Sequence, residues 1–180
     1  MNRRQLLGSL LALPISRAWA GLDLGTVAPD FSLQAAQAGQ VFRFSLREAL
    51  AKGPVVLYFF PAAYSEGCSI EAHTFAEAIA DFRAAGATVI GVSGDDIGTL
   101  TKFSMQACQG AFPVASDADQ RVMKSYDAVM QTRPDFANRI SFVIASDGRI
   151  AYTYKNLEPT RHVERTLAAV RQLTQTPATK

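Results

Sequence analysis

The chain has 180 residues, of which 48% are hydrophobic, with 18 basic and 16 acidic side chains, two histidines and two cysteines. This is enough apolar material for one domain around one core. A net charge of +2 gives no electrostatic case for nucleic acid or an anionic membrane as a partner.

The chain opens MNRRQLLGSLLALPISRAWA: two arginines, an apolar stretch from Leu6 to Ile15, then the small-x-small pattern Ala18-Trp19-Ala20. These features predict a cleaved secretory signal over residues 1–20. A membrane anchor is the competing reading, but the apolar stretch falls well short of the roughly 20 residues a span requires. Arg3-Arg4 followed by Leu6-Leu7 resembles a twin-arginine signal, which would export the protein already folded. Cleavage removes Arg3, Arg4 and Arg17 and leaves 15 basic against 16 acidic residues, so the exported domain, 21–180, is near neutral. The expected location is the periplasm, with no membrane attachment after cleavage, and the expected state is a monomer. An oxidising compartment allows Cys68 and Cys108 to form a structural disulfide, but a domain of this size needs no staple, which points the pair toward redox chemistry.

The first legible element is GPVVLYFF, 53–60, a continuous β-prone apolar run of the kind covered on both faces. After a loop, Cys68, Ala72, Phe75, Ile79 and Phe82 recur at spacings of 4, 3, 4 and 3 and predict one apolar stripe on a helix ending near Gly86. TVIGVSG, 88–94, is a second buried strand, and strand-helix-strand at this length is a right-handed crossover between parallel strands. Residues 95–109 predict a helix, FPVAS a short strand and DQRVMKSYDAV another helix. RISFVIASDGRIAYTY holds two alternating runs joined by Asp147-Gly148, an antiparallel hairpin. Val163, Leu167, Val170 and Leu173 mark one face of a last helix over roughly 160–174, and the tail TQTPATK is polar. Together these predict an α/β domain, a mixed central sheet with helices on both faces, in the topology of a thioredoxin-like fold.

Cys68 stands at the start of the first long helix, where unpaired backbone N–H groups and the helix dipole favour a thiolate. It also lies on the stripe that packs inward, and a buried inert thiol is the competing reading. Ser65 precedes it in S-x-x-C, and the C-x-x-C of a dithiol oxidoreductase is absent. A single thiolate near a hydroxyl suits attack on an electrophile whose oxygen collects charge.

Pro61-Ala-Ala-Tyr-Ser65-Glu-Gly-Cys68 resembles the peroxiredoxin signature P-x-x-x-(T/S)-x-x-C, and YFFPAAYSEGCSIEA is most similar to the PrxQ subfamily, the bacterioferritin comigratory proteins, of the AhpC/TSA superfamily. VAPDFSL, GVSGDD, FPVASDAD and RISFVIASDGRI also resemble blocks of that family, so the likeness spans nearly all of the chain after the signal. The resemblance implies that Cys68 is the peroxidatic cysteine, that the Ser65 hydroxyl bonds the attacked peroxide and that Pro61 shields the thiolate from water. It also implies that Arg139, in Arg-x-Ser-Phe, favours the thiolate and steadies the transition state, a role suited to a permanently charged, forked donor. Read in isolation, Arg139 is a solvated charge at a strand edge.

The sequence departs from many PrxQ proteins in carrying His73 where they place a resolving cysteine. Five helical steps turn a side chain by about 140°, so His73 and Cys68 diverge and His73 reads as a helix-surface residue. Cys108, in the helix after GVSGDD, lies where some members carry the resolving cysteine, so the resemblance implies a Cys68–Cys108 disulfide; a buried inert thiol is the alternative. A disulfide needs Cα atoms within about 7 Å, so the expectation is a reduced form with the two farther apart, and oxidation that unwinds the first turn around Cys68.

The resulting expectation is a thiol peroxidase for hydrogen peroxide and organic hydroperoxides, reset by a thioredoxin-like or small-thiol reductant and needing no metal or other cofactor. The competing readings are a one-cysteine peroxidase reset by an external thiol and a non-enzymatic thioredoxin-fold binding or chaperone module.

Overall fold

A computed structural model describes residues 21–175; the expected signal and the last five residues of the polar tail lie outside the described residues. The chain runs β1 (Ser32–Gln37), β2 (Gln40–Ser45), α1 (Leu46–Leu50), β3 (Val55–Phe59), α2 (Glu66–Ala84), β4 (Thr88–Ser93), α3 (Ile97–Gln106), β5 (Val114–Ser116), α4 (Arg121–Ser125), β6 (Ile140–Ile144), β7 (Ile150–Lys155) and α5 (Thr160–Gln175). The seven strands form one mixed sheet in the order β2-β1-β5-β4-β3-β6-β7. β3, β4 and β5 are parallel, and β6 returns antiparallel against β3.

The sheet carries a core on each face because side chains alternate along a strand. Val55, Leu57 and Phe59 of β3 point into a core closed by Leu46 and Ala49 of α1 and Val122 and Met123 of α4. Val56 and Tyr58 point the other way, with Phe60 just past the strand, into a core closed by α2, α3 and α5, and both cysteines belong to this second core. The stripe on α2 is as expected: Cys68, Ala72, Phe75 and Phe82 are buried and Ile79 packs beside them.

Three elements differ in detail from the sequence reading. The β6–β7 hairpin is antiparallel, but its loop has three residues: Ala145 N–H donates to the Arg149 carbonyl, Gly148 N–H donates to Ala145, and Gly148 takes the left-handed φ of 82° that the turn requires. The helix expected over DQRVMKSYDAV is confined to Arg121–Ser125, because Gln120 and Asp127 are left-handed at its two ends, with φ of 60° and 47°. α3 stops at Gln106, so Cys108 lies beyond the helix rather than in it. Its N–H reaches back five residues to the Phe103 carbonyl, and the left-handed Gln109 and Gly110 then turn the chain away.

Candidate functional site

The loop from Phe60 to Ser65 connects the carboxyl end of β3 to α2, and the segment after β4 fixes it. Ala63 N–H donates to the Asp95 carboxylate at 2.7 Å, and Ser93 Oγ donates to the same oxygen at 2.8 Å. Ser116 Oγ holds the Asp95 carbonyl at 2.7 Å, so β4 and β5 both support the loop. Tyr64 adopts φ 63°, lays its ring edge-on to Phe103 with centroids 5.3 Å apart and donates its hydroxyl to Gln106 at 2.9 Å. Pro61 opens this loop half-buried, and Ser65 closes it as the N-cap of α2.

Ser65 does not cap the helix with its side chain; its Oγ donates to the Ala62 carbonyl at 3.1 Å. The hydroxyl that would ordinarily occupy an N–H in the first turn is turned elsewhere, and the amides of Glu66, Gly67 and Cys68 remain as donors at the positive end of a 19-residue helix. Cys68 is in this turn, only 1% exposed.

Arg139, immediately before β6, is 8% exposed, which excludes the solvated-edge reading. Its Nη2 donates to Cys68 Sγ at 3.4 Å, and its Nη1 donates to the Gly67 carbonyl at 3.3 Å and to a Glu71 carboxylate oxygen. Burial opposes the Arg139 charge, but Glu71 and Cys68 beside it outweigh that cost and hold the guanidinium more firmly charged than usual. Burial also pushes the Glu71 carboxyl above its ordinary range despite the pull of Arg139. The arrangement is a buried cation gripping a sulfur at a helix N-terminus, which can hold a thiolate and stabilise charge developing on an oxygen next to it.

Gly67 makes the approach possible, because a Cβ there would sit 2.9 Å from Arg139 Nη2. Gly67→Ala is expected to leave the melting temperature nearly unchanged, since the displaced atom ends a flexible side chain. It should slow peroxide consumption by about tenfold or more, because a guanidinium moved by a fraction of an ångström no longer meets the sulfur. A steady-state peroxide assay beside a thermal melt checks both.

The other candidate residues fall outside this cluster. Cys108 is a free, fully buried thiol in the turn after α3, and burial pushes its thiol well above the ordinary value. His73 is on the surface of α2 as expected, where its ring accompanies Glu77 at 3.3 Å and Gln109 at 2.9 Å. Glu71, Ser141 and His162 are buried polar residues behind Arg139 that the sequence reading did not single out. The signal was present: Glu71 follows Cys68 by three residues along the stripe side of α2, and His162 continues the Val163, Thr166, Leu167, Val170 face of α5. Among the described residues, no three His, Cys, Asp or Glu side chains come together as a metal site, and no helix is long and apolar enough to cross a membrane.

Comparison with known proteins shows the family and the fold. Residues 24–153 match the model of the AhpC/TSA family. Peroxiredoxin Q, chloroplastic, of Oryza sativa subsp. japonica is 32% identical over 152 residues, which cover 83% of this chain and 67% of that protein. The crystal structure of the peroxidoxin BcpB from Mycobacterium tuberculosis superposes with a TM-score of 0.75 at 27% identity, over 83% of this chain and 97% of that one. A structure of Xanthomonas campestris peroxiredoxin Q superposes with a TM-score of 0.69 at 26% identity, over 79% and 92%.

Proposed function

The chain belongs to the AhpC/TSA family, the peroxiredoxins, and is a thiol peroxidase; from that premise we propose that Cys68 is its peroxidatic cysteine and that Cys108 closes the catalytic cycle in the periplasm. The observation that carries the assignment of Cys68 is the Arg139 Nη2 contact to its sulfur at 3.4 Å, made at the first turn of α2. The Cys68 thiolate attacks one oxygen of a hydroperoxide. An S–O bond forms, the O–O bond breaks, the sulfur is oxidised to a sulfenic acid, and the departing oxygen takes a proton to leave as water or alcohol. In this reading Arg139 and the first-turn amides stabilise the charge on the peroxide oxygens, Ser65 offers its hydroxyl to the bound peroxide, and Pro61 limits the access of water.

The Cys108 thiol then condenses with the sulfenic acid, a disulfide forms, and one water is released. Both cysteines are buried in the core between α2 and α3, and a buried thiol pushed upward in this way is a poor attacker while it stays packed. Unwinding of the first turn of α2 and of the turn at Cys108 supplies the missing step, because exposure returns the thiol toward its ordinary value. A thioredoxin-like dithiol or a small thiol resets the disulfide by exchange. Export to the periplasm is supported by the arginine pair, the apolar stretch and the Ala-x-Ala pattern of residues 1–20.

The burial of Cys108 also favours a second reading, a one-cysteine peroxidase in which an external thiol reduces the sulfenic acid directly. Intact mass after one equivalent of peroxide separates the two. Loss of two hydrogens is expected for the intramolecular disulfide, and Cys108→Ser should convert that product into one carrying an added oxygen. Gain of an oxygen in the unsubstituted protein would favour the one-cysteine cycle, and no rapid change in either would overturn the assignment of Cys68.

A further inference from the structure

Behind the Cys68–Arg139–Glu71 cluster is a second set of buried polar groups that attack on peroxide does not itself use. Ser141 follows Arg139 by two residues, and the sheet register pairs it with Tyr58 of β3 on one side and Tyr154 of β7 on the other. Above this row sits His162, fully buried in the first turn of α5, with its ring edge-on to Tyr154 at a centroid distance of 4.9 Å. Its Nε2 is 2.9 Å from the Asn156 carbonyl, and its Nδ1 is 2.7 Å from Ser141 Oγ. A carbonyl only accepts, so Nε2 carries the hydrogen; in the neutral ring Nδ1 is the acceptor and takes the Ser141 hydroxyl proton. Burial pushes the imidazole down to about 4, against the Asn156 bond and with help from the Arg139 charge, so the ring is neutral at neutral pH.

Nδ1 also stands 3.7 Å from Glu71 Oε1, a buried oxygen with no hydrogen-bond partner. Nδ1, unprotonated and already engaged by the Ser141 hydroxyl, offers no N–H to this oxygen, so an ionised carboxylate would stand there without a donor, which disfavours it relative to the neutral acid. Arg139 meanwhile serves two acids at once, Cys68 through Nη2 and Glu71 through Nη1. Cys68 as thiol with Glu71 ionised, and Cys68 as thiolate with Glu71 protonated, carry the same total charge and differ only in the position of one proton.

We propose that His162 is a positioning residue that biases Glu71 toward its protonated form and so leaves the charge of Arg139 to the Cys68 thiolate. The inference rests on Cys68 being the attacking thiol. The titratable groups facing the imidazole are Glu71 from α2, Arg139 at the start of β6 and Tyr154 from β7; on α5 itself, Arg161, Glu164 and Arg165 are on the exposed side. Arg139 bonds both Glu71 and the sulfur, so the effect of His162 on Cys68 passes through that pair.

The test is the rate of Cys68 alkylation by iodoacetamide as a function of pH, followed by mass of the Cys68 peptide. His162→Gln puts an amide N–H within reach of Glu71 Oε1, which favours the carboxylate. The alkylation rate at neutral pH is expected to fall about tenfold and the whole profile to move about one unit toward alkaline pH. In a Glu71→Gln background the same substitution should leave the profile unmoved, because the group it acts through is gone. Equal displacement in both backgrounds, or none in either with the melting transition retained, would overturn the proposal. Ser141→Ala is a smaller second variant: it frees the Nδ1 lone pair for a Glu71 proton and should keep or raise the rate, and a tenfold fall would likewise overturn it. Alkylation requires no peroxide, so a chain that fails as a peroxidase while these displacements persist contradicts the functional reading and not this one.

Discussion

Cys68→Ser is expected to abolish peroxide reduction, with a loss on the order of four powers of ten or more, the scale on which removal of a nucleophile acts in enzymes generally. Serine nearly preserves volume at a position only 1% exposed, so the fold should persist. What disappears is the nucleophilic sulfur, because a serine hydroxyl with no base beside it is a far weaker nucleophile than a cysteine sulfur. Arg139 Nη2 then faces a neutral group instead of a thiolate, and the peroxide has donors around it but no attacking atom. The measurement is a single-turnover peroxide assay with the protein in excess, which avoids any dependence on the reductant. Cys108→Ser supplies the contrast: its first turnover should match the unsubstituted chain, since Cys108 acts only after the O–O bond has broken. Equal turnover by Cys68→Ser would sink the assignment and return Cys68 to the core.

The parts of this architecture that were legible in the sequence were those that follow one period within one element. The α2 stripe, the buried runs of β3 and β4 and the antiparallel β6–β7 pair were of that kind. The β1–β2 hairpin was not. Its inner strand buries Ala35 and Ala36, residues with weak strand preference, and its edge strand is mostly exposed, so neither shows a strong alternation. Its turn is Ala38-Gly39, both at positive φ, without the Asn or Asp that usually announces such a loop. The helix over DQRVMKSYDAV was expected too long for a related reason. Asp117 accepts from the Val122 and Met123 amides at 3.1 and 2.7 Å and starts a helix that the left-handed Asp127 then ends.

The site divides in the same way. Cys68, Ser65, Pro61 and Arg139 were named from the loop motif and its companion blocks, and the structure brings Arg139 onto the sulfur. Glu71, Ser141 and His162 escaped because each occupies a core-facing position in its own element and reads there as a local irregularity. Their partnership exists only once α2, β6 and α5 are stacked, and no spacing along the chain encodes it. The reverse holds for Cys108, which the chain pattern put inside a helix. The i to i−5 bond at Phe103 that opens the end of α3 leaves no signature in a stripe of apolar residues.

Arg139→Met is the second large effect, and it should appear on two scales that can be pulled apart. On activity, removal of a fork aimed at the sulfur and at the oxygens it attacks is expected to cost about 10²- to 10³-fold in peroxide turnover. On stability, it strips Glu71 of its counter-ion while Glu71 stays fully buried, and breaking a buried pair from one side costs about 3–5 kcal/mol. The sign of the pH dependence follows from Glu71. Burial raises its carboxyl above the ordinary value, so its neutral form fits the folded chain, and without Arg139 to pull it back the variant should be closest to the parent in acid and lose ground as pH rises through the raised value. Adding Glu71→Gln removes the buried ionisable carboxyl, and the double variant should recover most of the stability, read by denaturant unfolding at acidic and neutral pH. It should recover little turnover, because an amide at position 71 gives Cys68 no cation. Arg139→Lys tests the geometry rather than the charge: it retains one positive centre but cannot reach Cys68, Gly67 and Glu71 together, and should fall between parent and methionine in both measurements. If turnover returned in step with stability in the double variant, Arg139 would be a scaffold residue and the contact to Cys68 a by-product of packing.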